Sequence, residues 1–187
     1  MRRKVAWIAA ALGLSVIVGA GYGAWGRESA ASVAVRDGDV VVATEGPGEA
    51  IERASQLAGF TVAAPRALPA GFVLKELFVS PPPPAAQAGV ITATDRIVSA
   101  TFVATGTHFR IDFLRDGFNP VVSGEELKGL VEGSQVFWLA TDEAEFYSML
   151  SHGRGVILII PKGSELDRED ARKMLSEVER GLAEGEK

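Results

Sequence analysis

The sequence predicts an α+β fold: an antiparallel β-sheet covered on one face by a C-terminal amphipathic helix and a short N-terminal helix, preceded by a single N-terminal transmembrane helix. Three observations predict it. Val5 to Gly26 carries no charge, short β-branched and aromatic runs bounded by Gly, Pro and Asp-Gly recur downstream, and a helical apolar period occupies the last segment.

The uncharged run comes first. At ~1.5 Å rise per residue, roughly 20 apolar residues cross the hydrocarbon layer, and Arg2, Arg3 and Lys4 mark the end retained in the cytoplasm. The expectation is a single-pass membrane anchor over residues 1–26, with the remainder periplasmic or at the cell surface. A secreted product of signal cleavage is the alternative, although the run exceeds an ordinary signal core and Ala20-Gly21-Tyr22 and Ala24-Trp25-Gly26 lack the A-x-A form. Within the run, Ser15, Gly19 and Gly23 repeat at spacing four, a small-residue stripe that would allow a weak homodimer between two such helices.

The chain has no cysteine, which excludes disulfides, a lipid-modified cysteine and thiolate metal sites. Setting Arg2, Arg3 and Lys4 aside from 19 Lys and Arg leaves 16 against 24 Asp and Glu, a net charge of about −8. That balance disfavours nucleic acid and anionic lipid surfaces as ligands.

Residues 27–47 read as a linker and a short hairpin: Val33-Ala34-Val35 and Val40-Val41-Val42 flank Arg36-Asp37-Gly38-Asp39, whose Asp-Gly pair favours a tight turn. Residues 48–184 read as one domain. Ala50, Ile51, Ala54, Leu57 and Ala58 share a helical face, with Gly59 placed to end the helix. Pro65 and Pro69 exclude a helix after Phe60, and Phe72 to Val79 suits a strand. Pro81 to Pro84 cannot sit inside a sheet, so an exposed polyproline connector is expected there, with a P-x-x-P docking motif as the second reading. Arg96–Ala104 and Thr107–Leu114, joined by Thr105-Gly106, form a hairpin in which Phe109, Ile111 and Phe113 alternate with polar residues. Three extended runs are expected at Leu127–Val131, Gln135–Ala140 and Phe146–Leu150. His152 to Gly155 turns the chain into Val156–Ile160, a β-branched run suited to the middle of the sheet. The last helix opens at Asp167 with Asp170 three positions on, carries the stripe Ala171, Met174, Leu175, Val178 and Leu182, and is expected to end near Gly181 or shortly after.

The string Gly59-Phe60-Thr61-Val62, then Pro65, Leu68-Pro69-Ala70-Gly71-Phe72, placed after a short helix, resembles the signature of the DUF4367 family of exported bacterial domains. The similarity covers about Gly48 to Leu182. Ala70 stands where that pattern carries an acidic residue, and Phe146 to Leu150 lacks its tryptophan. The resemblance implies an extracytoplasmic domain attached to a membrane helix, sometimes beside anti-sigma-factor modules, and it implies no catalytic residues. Independently of the family, Pro65 and Pro69 fix φ, Leu68 is an apolar plug, and Gly71 permits the turn. The expectation is a rigid corner packed on the sheet, with a ligand groove beside it as the second reading.

Catalytic constellations are thin. His108 and His152 are the two histidines, both at expected turns, and Ser151 precedes His152 on an extended chain whose neighbours face opposite ways, the wrong geometry for a nucleophile and its base. Glu125-Glu126, Asp142-Glu143 and Asp167-Glu169-Asp170 fall at a loop, a turn and a helix start. Asp112 and Asp116 flank a strand end where Ca²⁺ is conceivable, without the dense ligand spacing of a calcium loop. No catalytic, cofactor-binding or metal residue and no cofactor is assigned. Aromatics are in surplus: Phe102, Phe109, Phe113, Phe118, Phe137, Trp138, Phe146 and Tyr147 crowd the sheet region, and adjacent Phe137 and Trp138 must face opposite ways. The expected function is a non-catalytic, membrane-tethered domain binding a protein or an apolar ligand on its sheet, in envelope sensing or regulation. A periplasmic or secreted hydrolase and a structural component of an envelope assembly are the alternatives.

Overall fold

The computed structural model describes residues 32–81, 96–115 and 124–185. The uncharged run expected to span a membrane, with its Ser15, Gly19 and Gly23 stripe, the proline run beyond Pro81, Asp116 and Phe118 lie outside the described residues. Among the described residues no helix is long and apolar enough to cross a membrane.

Nine strands and two helices occur in order: β1 (Val33–Asp37), β2 (Val40–Glu45), α1 (Pro47–Ala58), β3 (Val73–Val79), β4 (Val98–Ala104), β5 (Thr107–Leu114), β6 (Glu125–Glu126), β7 (Gln135–Ala140), β8 (Ala144–Ser151), β9 (Arg154–Pro161) and α2 (Arg168–Gly185). They build one sheet of order β2-β1-β3-β4-β5-β9-β8-β7-β6. The expectation of an antiparallel sheet is corrected to a mixed one, because β1 and β3 run parallel, Val35 opposite Leu77. Parallel neighbours need a crossover rather than a hairpin, and α1 with the Pro-punctuated segment provides it. The β1–β2 hairpin thereby joins the same sheet as the residues downstream of Gly48.

α1 starts at Gly46, whose N–H donates to Glu49 Oε2 at 3.3 Å, and stops at Gly59 with φ 76. Ser55 ties the helix to the extended segment beyond Gly59: its hydroxyl donates to Ile51 O at 2.9 Å and accepts from Val62 N–H at 3.0 Å. Arg96 is a second clamp. Its guanidinium donates to Ser80 O at 2.7 Å, to Leu57 O in the last turn of α1 at 3.1 Å, and to the Asp37 carboxylate.

The helix at the end of the chain caps as expected, since the Asp167 carboxylate accepts Asp170 N–H at 2.9 Å and Asp170 accepts Asp167 N–H at 3.3 Å. All five residues of its apolar stripe are buried. It runs to Gly185, shortly after Gly181, and Gly181 is used for packing: a Cβ there would lie 2.8 Å from the Ala63 Cβ. A second correction concerns Leu127–Val131, which is no strand. Leu127 N–H reaches Val136 O at 2.8 Å, and the chain then turns at Lys128-Gly129, leaving Val131 and Ser134 as an isolated bridge. The outer pairing partner of β7 is Glu125–Glu126, expected as a loop and found as the two-residue edge strand β6.

Register fixes the two faces of the sheet. Leu74, Ala100, Phe102, Phe109, Ile111, Leu158, Tyr147, Met149 and Val136 lie in register on one face, together with Val33, Val35, Leu77 and Val156, and every one is buried. Phe109 stacks on Phe102 at 4.6 Å and meets Phe72 at 5.0 Å. Ala50, Ala54 and Ala58 of α1 and the α2 stripe join that same core. Both described helices therefore cover one face.

Candidate functional site

The opposite face of the sheet carries no described helix, and the pairing arranges its residues in cross-strand rows. One row runs Leu139, Phe146, Ile159, Arg110, Thr101 and Glu76. The next runs Phe137, Ser148, Ile157, Asp112, Ser99 and Phe78. The β7–β8–β9 part is thus an apolar field of Phe137, Leu139, Phe146, Ile157 and Ile159, each half-buried, with Leu150 48% exposed at its margin. These large apolar side chains lie in adjacent rows outside the core that both helices complete.

Beside that field, Arg110 and Asp112 project from β5 onto the same face and form an ion pair, Nε to Oδ1 at 2.9 Å, with side chains only 24% and 13% exposed. Burial pushes the Asp112 carboxyl above the usual range, outweighing the opposing pull of the Arg110 charge and the Ser99 hydroxyl. Further toward β2, Arg36 and Glu76 approach at 3.9 Å. The face grades from apolar at β7 to charged at β1.

Phe137 and Trp138 do face opposite ways. Phe137 takes the helix-free face, whereas Trp138 lies on the core face, where its indole N–H donates to Glu145 Oε2 at 3.1 Å and Arg168 of α2 sits 5.1 Å over the ring. The Tyr147 hydroxyl donates to the same carboxylate oxygen at 2.8 Å. Burial, reinforced by the Glu145 hydrogen bond and charge, pushes the Tyr147 phenol up to about 12 against the opposing Arg168. The network was not expected from the sequence, although its signal is there: Glu145 and Tyr147 are two apart on a strand and must share a face.

Two concavities accompany the faces. One of about 260 Å³ lies between Ala70-Gly71-Phe72, the β4–β5 turn at Thr105 and Thr107, and Leu166 before α2, and so adjoins the proline corner. The other, about 610 Å³ and open, borders Gly124, Glu125, Trp138, Leu139 and Ala140 at the β7 edge. Neither gathers a set of convergent titratable groups.

The histidines are not brought together. His108, the second residue of β5, lies on the helix-free face, while His152 sits in the β8–β9 turn with φ 48 and Nε2 3.2 Å from Glu179 Oε1. Leu114, at the far end of β5 from His108, pairs with Gly155, and His152 lies beyond Arg154 in the turn, so the two imidazoles are more than about 20 Å apart along the strands. Ser151 is buried on the core face. Asp142-Glu143 lie in the β7–β8 turn, and Glu169 pairs with Arg172 at 2.6 Å, which lowers the Glu169 carboxyl. Among the described residues no group of three or more His, Asp or Glu is placed to hold a metal ion. Asp112, considered for Ca²⁺, is engaged by Arg110.

No family model matches the chain, no curated protein is similar to it, and no solved structure matches it.

Proposed function

We propose that this chain is a membrane-tethered, extracytoplasmic, non-catalytic domain that binds a protein partner or an apolar ligand on the helix-free face of its sheet. The observation that carries the reading is the apolar field of Phe137, Leu139, Phe146, Ile157 and Ile159 on that face, beside the oriented Arg110–Asp112 pair. A recognition surface has this construction: apolar area supplies affinity, and a few fixed polar groups set orientation. The tether is supported by the uncharged Val5–Gly26 run behind three basic residues, and the extracytoplasmic setting by the DUF4367-like string Pro65 to Phe72. Envelope sensing or regulation is the role that fits a binding module held at a membrane.

The test is photo-crosslinking in cells, with benzoyl-phenylalanine placed at Phe146 or Leu150 and, as the comparison, at Lys173 on the exposed side of α2. A discrete product from the first two positions and none from the third is expected. Equal labelling from all three would defeat the reading.

A further inference from the structure

The two sides of the domain differ in polarity. α2 turns Lys173, Arg180 and Glu184 outward, and α1 turns Glu52, Arg53 and Gln56 outward. Five large apolar side chains are exposed among the described residues, and all five are on strands. Three of them, Val41, Val73 and Leu150, share the helix-free face with the apolar field of β7, β8 and β9. Two ion pairs stand on that face, Arg36 with Glu76 at 3.9 Å and Arg110 with Asp112 at 2.9 Å. Glu126, at the β6 margin opposite Phe137, accepts from Gln135 Nε2 at 3.5 Å. The acidic excess of the chain therefore lies elsewhere on the surface.

We propose that the helix-free face docks on the lipid bilayer that anchors the chain, with Phe137, Leu139, Phe146, Leu150, Ile157 and Ile159 reaching the boundary between headgroups and acyl chains. The proposal rests on the reading above, both the anchor and the binding face, and names the apolar ligand as lipid. Tether length selects the bilayer. Six residues, Arg27 to Ser32, separate the uncharged run from Val33 of β1, and even fully extended they bridge no more than about 25 Å. Nine strands at ~4.8 Å spacing make the sheet about 40 Å across, so the domain stays within less than its own width of the membrane surface. With the helix-free face down, β1 itself lies at the interface and the tether is slack. With the helices down, a layer ~10–12 Å thick is placed beneath β1 and takes up about half of that reach. Charge selects the same face, because anionic headgroups repel the acidic surface elsewhere, whereas two internally balanced ion pairs present no net charge. The seating is reversible, its strength set by the apolar area that enters the interface.

The absence of cysteine makes the test direct. Phe146→Cys, Leu150→Cys and, as the control, Lys173→Cys are each labelled with nitrobenzoxadiazole in the full chain. The labelled chains are reconstituted into phosphatidylcholine vesicles whose lipids carry a nitroxide near the top of the acyl chain. Blue-shifted emission and strong nitroxide quenching are expected from the two β8 positions, and neither from Lys173→Cys. Leu139→Glu, shown folded by circular dichroism, is expected to lose most of the quenching read at Leu150→Cys. Equal quenching at all three positions, no quenching at either β8 position, or a chain that does not float with the vesicles would overturn the proposal, the last by removing the anchor. In the cellular photo-crosslink the product at Phe146 and Leu150 is then a lipid adduct, identified by its mass. A protein adduct there without quenching in vesicles would refute lipid docking and leave the face a binding surface, whereas no adduct of either kind would defeat both readings.

Discussion

Replacing Arg96 by alanine should cost more stability than any other single change of a charged residue in this domain. Its side chain is only 15% exposed and joins three segments distant in sequence: Ser80 O after β3 at 2.7 Å, Leu57 O at the end of α1 at 3.1 Å, and the Asp37 carboxylate at the β1 turn. Each bond from a charged donor to a carbonyl is worth about 1.5–3 kcal/mol, and the Asp37 pair, half-exposed on the acid's side, adds no more than about 1 kcal/mol. Water readmitted to the carbonyls returns part of this, leaving a net loss of about 2–4 kcal/mol. For a domain of this size that lowers Tm by about 4–16 °C. Urea unfolding monitored by circular dichroism measures it, with the slope on denaturant unchanged if the native fold persists. Arg96→Lys should fall between, since a single ammonium cannot hold a planar fork of three acceptors. A loss under about 0.5 kcal/mol for Arg96→Ala would refute the clamp and, with it, the reasoning that a cation on the last carbonyls of α1 stabilises the crossover.

Four further outcomes are expected. Phe109→Ala, which removes the ring between Phe102 and Phe72, should cost about 3–5 kcal/mol in the same unfolding assay, against about 1 kcal/mol for the cap variant Asp167→Ala. Of the two tyrosines, Tyr147 should titrate late in an ultraviolet titration, near 12, and earlier in Glu145→Gln; because its folded value is raised, the stability it contributes is complete below the ordinary phenol range and is lost as pH rises through its folded value. Asp112 is a carboxyl raised by burial, so its contribution is greatest below the usual carboxylate range and falls as pH rises through the folded value; the difference in Tm between wild type and Asp112→Asn should carry that slope, and a pH-independent difference would contradict it. Gly124→Ala drives a Cβ into the Trp138 carbonyl oxygen and should release β6 from β7, seen as a change in tryptophan fluorescence.

Where one periodicity dominated, the sequence was sufficient. The alternation Phe109, Ile111, Phe113 fixed the inward face of β5, and Ala171, Met174, Leu175, Val178 and Leu182 fixed the inward stripe of α2, because each pattern is decided by local geometry. Strand order is not local. Nothing between Val33 and Val79 states that β3 returns beside β1 instead of beside β2, so the parallel pair and the mixed sheet were not legible. Leu127–Val131 has a strand's composition, yet the chain turns at Lys128-Gly129 after a single ladder bond. The Arg110–Asp112 pair was visible as two polar positions on β5; that it is buried at the centre of a face depends on β4 and β9 flanking it.

Folding and the proposed recognition are divided between the two faces by strand parity. With no disulfide to rely on, the domain draws its stability from one core, and the inward positions of β1, β3, β4, β5, β8 and β9, together with both helices, fill it. The outward positions are released from that duty, so Phe137, Leu139, Phe146, Ile157 and Ile159 are apolar without being needed by the helices. Asp112 supports the same division from the opposite direction. Its carboxyl is held on that face although burial disfavours its charge, and a charge kept where burial opposes it adds little to stability compared with apolar residues of similar volume. What it does provide is a fixed polar direction within an apolar surface, which folding does not require and selective binding does.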